Sequence, residues 1–169
     1  MPPYKLMVED RRDVFPASLE QLQAAIYHLG EPTGPTFLNL KDEEGNWAQV
    51  GGTNGRYRVE ARDVFGEGFR HWLAADPACQ DRSEAVVYYR NRCTENEHPY
   101  RRCPLGATVA NVLRLSDVFV ILSEYWATGA RSSKYHWDDV TQNMLEEDAE
   151  ERGLGIKTIK PKGSKGQSA

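Results

Sequence analysis

The chain is expected to fold as an α+β domain, a largely antiparallel sheet of about six strands with two main helices packed on it. Short β-rich segments joined by tight turns follow one another from Thr36 to Arg92. Strands in sequence with helices kept to the flanks give an antiparallel sheet covered by helices. Two apolar-periodic segments, one near each end, carry helix start and stop residues. No internal repeat interrupts this order.

The elements follow in turn. "YKLMVED" from Tyr4 reads as a first edge strand. "SLEQLQAAIYHLG" reads as a helix: Ser18 is placed to cap it, Gln21 to complete a capping box, and Gly30 to end it in the left-handed region. Leu19, Leu22, Ile26 and Leu29 recur at helical spacing. "FLNLKDEEGNWAQVGGTNGRYRVEAR" then gives three strands. Its turns, "DEEGN" and "GGTNG", carry glycine and asparagine for the positive φ that hairpins need. In the third strand Tyr57, Val59 and Ala61 face one way while Arg56, Arg58, Glu60 and Arg62 face the other, so one face is expected in the core and the other wet.

"GFRHWLAA" and the β-branched, aromatic "SEAVVYYRNR" are two further strands. "CTENEHPYRRCPLG" reads as a polar loop and "ATVANVLRL" as strand or helix, with strand favoured because it leads straight into a fresh helix start. Ser116 then caps a helix, "DVFVILSEYWATG", with Asp117 beside its dipole and Gly129 closing it. "KYHWDDV" is a short extended segment and "TQNMLEEDAEER" an acidic helix. Residues 1–152 form a single domain in this reading, and the Lys/Gly/Ser-rich stretch 153–169 a disordered tail.

Charge is unevenly laid out. The net charge is −4, and the tail holds Lys157, Lys160, Lys162 and Lys165 without an acid. Removing those four charges from −4 leaves about −8 on the rest, which suits a basic partner better than a nucleic acid. The longest apolar run, around Val118 to Leu122, is far short of the ~20 residues that span a bilayer. The N-terminal stretch lacks the apolar block of a signal peptide, so a cytoplasmic protein is expected. Cys79, Cys93 and Cys103 make an odd set without a zinc-ribbon pattern. Cys93 and Cys103 could bridge a loop under oxidising conditions, buried free thiols being the alternative.

Tests for chemistry find little. "VGGTNG" lacks the lysine and the following helix of a phosphate loop, and reads as a hairpin turn. His28, His71, His98 and His136 are scattered, without a metal-ligand motif, and read as surface or half-buried imidazoles. A metal site from His71, His98, Cys93 and Cys103, or an enzyme site around Cys93, His98, Tyr100 and Cys103, is the nearest thing to chemistry. Neither the serines nor the carboxylate runs form a catalytic pattern. The alternation in "GRYRVEAR" puts arginines and tyrosine on opposite faces, which is poor for stacking single-stranded nucleic acid. Trp72 and Trp126 are expected in the core, the latter beside Phe119 and Leu122, and Trp137 as core or anchor.

The strands from Phe37 to Arg62, with Gly51, Gly52, Gly55 and Glu60, and the later helix and "HWDDV" strand, with Trp126, Gly129 and Trp137, together resemble the family-one immunity proteins of bacterial polymorphic toxin systems. The resemblance covers about Thr36 to Val140. It implies a small cytoplasmic α+β protein, not an enzyme and needing no cofactor or metal. Such a protein binds a cognate toxin domain one to one, often a nucleic-acid deaminase or nuclease, and masks its active site. It implies no direct nucleic-acid or membrane binding. The candidate contacts are Asp42, Glu43 and Glu44 in the first turn, Tyr100 in the polar loop, and Asp138 and Asp139 after Trp137. The alternative is a small-molecule or peptide-binding accessory domain built on the same sheet.

Overall fold

The computed structural model describes residues 3–9, 11–91 and 101–145. Helix α1 (Leu19–Tyr27) opens on the capping box expected of it: the Gln21 amide donates to Ser18 Oγ, and the Ser18 amide to Gln21 Oε1. It buries Leu22, Ala25 and Ile26. Gly30, two residues past its cap, has φ +78° and turns the chain back through a bond to the Pro35 carbonyl.

Helix α2 (Leu115–Thr128) starts differently from the sequence reading. Its cap is Arg114, whose amide donates to Asp117 Oδ2 at 2.9 Å, so Ser116 lies within the helix. A carboxylate three residues on satisfies the free amide at the helix start, and the serine is not needed. Val118, Ile121, Leu122 and Tyr125 are buried, Trp126 partly so, and Phe119 is 42% exposed beside α1 rather than sharing their stripe.

The main sheet runs in the order β1-β2-β3-β4-β5-β8, antiparallel throughout: β1 (Lys5–Val8), β2 (Phe37–Lys41), β3 (Trp47–Thr53), β4 (Arg56–Phe65), β5 (Gly68–Ala75) and β8 (His136–Asp139). Both helices pack on one face, against Leu38, Leu40, Val50, Tyr57 and Val59. Burying these apolar side chains, at about 2 kcal/mol each, is the main force that holds the layers together. Trp72 is only partly buried: its indole donates to Asp63 and the Arg131 guanidinium lies 3.8 Å over its ring. Trp137 is likewise half-buried, donating to the Ser132 carbonyl.

Two segments depart from the sequence reading. β6 (Glu84–Asn91) leaves the sheet and pairs with β7 (Arg101–Thr108) as a separate hairpin, and the short β8 takes the vacant edge of β5. So "RRCPLG" is strand, not loop. Pro104 is tolerated because β7 is paired on one side only. The stretch "ATVANVLRL" is only briefly strand. Asn111 Oδ1 accepts from the Thr108 amide and hydroxyl, ending β7 in a 3₁₀ turn at Val109–Asn111. Helix resumes at Thr141 and is described through 145; the acidic remainder, the lysine-rich tail, and Cys93, His98 and Tyr100 lie outside the described residues. Among the described residues no helix is long and apolar enough to cross a membrane.

Candidate functional site

The second face of the sheet overturns the expectation of a wet, charged surface. The β6–β7 hairpin lies across it. Arg58 Nη1 donates to the Gly106 carbonyl at 2.7 Å, Thr53 Oγ1 to the Tyr88 carbonyl at 3.1 Å, and the Arg90 amide to Thr36 Oγ1 at 2.7 Å. On this face Glu60 is 5% exposed and His71 1%, the His71 ring lying edge-on to Trp47 and its amide donating to Thr141 Oγ1. The surface or half-buried imidazole expected at position 71 is therefore a core one.

Strand register explains the arrangement. Asn39, Gln49, Glu60, Leu73 and Asp138 stand opposite one another across β2, β3, β4, β5 and β8, and cross-strand neighbours share a face. Asn39 Nδ2 donates to Gln49 Oε1 at 3.3 Å, and Gln49 Nε2 to Glu60 Oε2 at 3.2 Å. His71 Nε2 lies 2.8 Å from the same oxygen, and Arg58 Nε 3.1 Å from Oε1. Burial pushes the Glu60 carboxyl up. The His71 hydrogen bond, the charges of Arg58 and His71, and the Gln49 amide together outweigh it and hold the group below the ordinary glutamate value.

A second ion pair stands two strands away. Arg82 Nη1 donates to Asp138 Oδ2 at 2.8 Å, Asn111 Nδ2 to the same oxygen at 3.0 Å, and His136 Nε2 lies 3.2 Å from Oδ1. Between the two pairs opens a cavity of about 670 Å³. Its floor is Glu60, Leu73 and Asp138. Leu105 to Thr108 of β7 form one wall, and Val140 with Met144 the other. That volume lies in the range of small-molecule sites.

The sequence-predicted residues do not meet in one place. Asp42, Glu43 and Glu44 share the β2–β3 turn, about four strand spacings or ~19 Å along the sheet from Asp138 and Asp139. Asp42 builds that turn, accepting from the Asn46 amide and Nδ2 at 2.9 Å each, while Glu43 and Glu44 face solvent. Asp138 belongs to the cavity. Asp139 accepts from the hydroxyl and amide of Thr141, which hold its carboxyl below the usual aspartate range. Tyr100 lies outside the described residues.

What the sequence reading missed at the turn is apolar. Phe15 is 54% exposed and shares a surface depression with Asp42 and Glu43. On the other side, Asn46 Oδ1 accepts from the Val64 amide at 2.7 Å, bringing exposed Val64 against the turn, with Phe65 (55%) the next residue at the end of β4. The signal was present in "DVFP" and "DVFG", two Val-Phe pairs at strand ends followed by turn residues, where a side chain has little to pack on.

The described residues bring no set of three or more acidic, histidine or cysteine side chains together as metal ligands. Comparison with known protein families, curated proteins and solved structures finds no match to the chain.

Proposed function

We propose that this protein is a binding protein of the immunity type, a cytoplasmic inhibitor that docks one to one on a cognate bacterial toxin domain and masks its active site. The observation that carries the reading is the β2–β3 tip, where exposed Glu43 and Glu44 stand between exposed Phe15 on one side and Val64 and Phe65 on the other. Aromatic anchors rimmed by charge are the usual makeup of a tight protein interface. The acids would steer a basic surface into place, and a domain acting on nucleic acid, such as a deaminase or nuclease, carries such a surface around its cleft. The acidic balance of the chain outside its lysine-rich tail points the same way.

The test is capture of the partner by tagged chain from lysate of its own cells, followed by co-expression of the captured domain in a bacterial host. Growth should fail with the partner domain alone and be restored by the chain, but not by a Phe15→Ala/Phe65→Ala double variant. A captured domain that remains lethal beside the intact chain would sink the proposal.

A further inference from the structure

We propose that the cavity above Glu60 is a binding site for a small carboxylate with an apolar body, recognised by Arg82 at its mouth and Arg58 at its floor. This site is separate from the β2–β3 tip and independent of the inhibitor reading.

It rests on which hydrogen-bonding groups in the cavity are already satisfied. Glu60 Oε1 faces Arg58 Nε, and Oε2 accepts from Gln49 and faces His71. Asp138 Oδ2 accepts from Arg82 and Asn111, and Oδ1 faces His136. Both carboxylates are therefore occupied, and a cationic ligand would have to displace protein donors to reach them. The guanidiniums are not occupied. Each has five N–H donors. Arg82 has a protein acceptor only at Nη1 among the described residues, and Arg58 only at Nη1, its Nε lying 3.1 Å from Glu60 Oε1 without a hydrogen bond. The unspent capacity lining the cavity is donor capacity, and planar forked donors match a carboxylate.

The rest of the lining fixes the body of the ligand. Leu73 lies at the centre of the floor between the two ion pairs, with Leu105, Val140 and Met144 around it. An aliphatic chain can lie there with its carboxylate at Arg82. The four charged cavity groups sum to zero, so a monoanion is better matched than a phosphate dianion, which would meet Glu60 and Asp138 without an excess of positive charge to offset them. Free fatty-type acids and the C-terminal carboxylate of an apolar peptide share this chemistry.

The experiment is a two-dimensional amide NMR titration of the full chain at neutral pH. The probes are straight-chain carboxylates from butanoate to decanoate, octanamide, inorganic phosphate, and N-acetyl-dileucine with a free or an amidated C-terminus. The expected result is saturable shifts at Leu105–Thr108, Asn143 and Met144 with one or more carboxylates, little response to octanamide or phosphate, and affinity at least about tenfold weaker in Arg82→Gln, from loss of a charge-assisted bond. Arg82 is the variant of choice because its side chain is 45% exposed and its replacement leaves the fold intact, as unchanged amide spectra away from the cavity should show. Tighter binding of the fatty acids or of the free-terminus peptide would each support the site and assign the source. No response to the whole series, equal binding of octanamide, shifts confined to another surface, or undiminished affinity in Arg82→Gln would overturn it. A Glu43→Lys variant should bind the carboxylate as the wild type does, so failure here leaves the tip reading untouched.

Discussion

Nε2 of His71 donates to Oε2 of Glu60 across 2.8 Å on a sheet face that alternation alone marks as solvent-exposed. The pair joins β5 to β4, and through Gln49 and Asn39 the hydrogen-bonded chain reaches β3 and β2. A buried ionic row of this kind contributes little net stability compared with an apolar one, but removing one member strands the others. It therefore fixes which residues face the hairpin, and so where the cavity forms.

Glu60→Gln should destabilise the fold by about 3 kcal/mol, because buried Arg58 would lose its counter-charge and His71 Nε2 its carboxylate acceptor. The pH dependence has a definite sign. The Glu60 carboxyl is held below the ordinary 4.5, so its stabilisation is complete above that value and is lost as pH falls through the lower folded-state one. The gap between wild type and Glu60→Gln in urea unfolding should be widest at neutral pH and shrink below the ordinary glutamate range. A gap that stayed constant, or widened in acid, would contradict the ionised assignment.

Local grammar made most of the fold legible. Ser18 with Gln21, the glycines at 30 and 129, and the alternation of Tyr57, Val59 and Ala61 each act within a few residues, and each holds in the structure. What could not be read was non-local. Nothing near "SEAVVYYRNR" says that it leaves the sheet, since a strand buried by a sheet neighbour and one laid across a sheet face have the same composition. Nothing near Glu60 says that β6–β7 will cover it, and that placement turns a wet face into a lined cavity. The tip was half legible: its acids were visible as a turn, while its phenylalanines arrive from β1's flank and the end of β4.

Adjacent glycines should separate the two layers. A Cβ on Gly52 would lie 2.2 Å from the Arg56 carbonyl oxygen and 2.7 Å from the Tyr57 Cα, both backbone atoms of the neighbouring strand that cannot yield without breaking the β3–β4 ladder. On Gly51 it would meet Leu105 Cδ1 at 2.9 Å, the end of a movable side chain on the hairpin. Gly52→Ala should cost about 3 kcal/mol and Gly51→Ala about 1 kcal/mol. Hydrogen exchange should show the second confined to β6 and β7, with the main sheet protected as before. Equal losses in both variants would mean that the hairpin is no separate layer.

Tyr57 ties strand β4 to the end of α1, its buried hydroxyl donating to the Leu29 carbonyl at 2.9 Å. Tyr57→Phe keeps the ring and strands that carbonyl, for a loss of about 1–2 kcal/mol in denaturant midpoint measurements. Burial raises the phenol's pKa, so the contribution persists through neutral pH and fades as pH rises past the ordinary tyrosine value of 10.0 toward the higher folded one. The deficit of Tyr57→Phe should therefore be constant at neutral pH and narrow in strong alkali.

Steering and anchoring at the tip should separate kinetically once the partner is in hand. Glu43 and Glu44 face solvent, so Glu43→Lys/Glu44→Lys should change folding stability by less than about 1 kcal/mol while slowing association. Asp42 holds the turn through Asn46, and its replacement should instead lower stability by about 1 kcal/mol. Phe65→Ala, on an exposed ring, should leave stability and on-rate alike and raise the dissociation rate, since anchors act on residence. Surface-plasmon kinetics at two salt concentrations give each rate separately. Charge reversal should flatten the salt dependence of the on-rate; an on-rate unchanged by reversal at both concentrations would take the tip out of the interface.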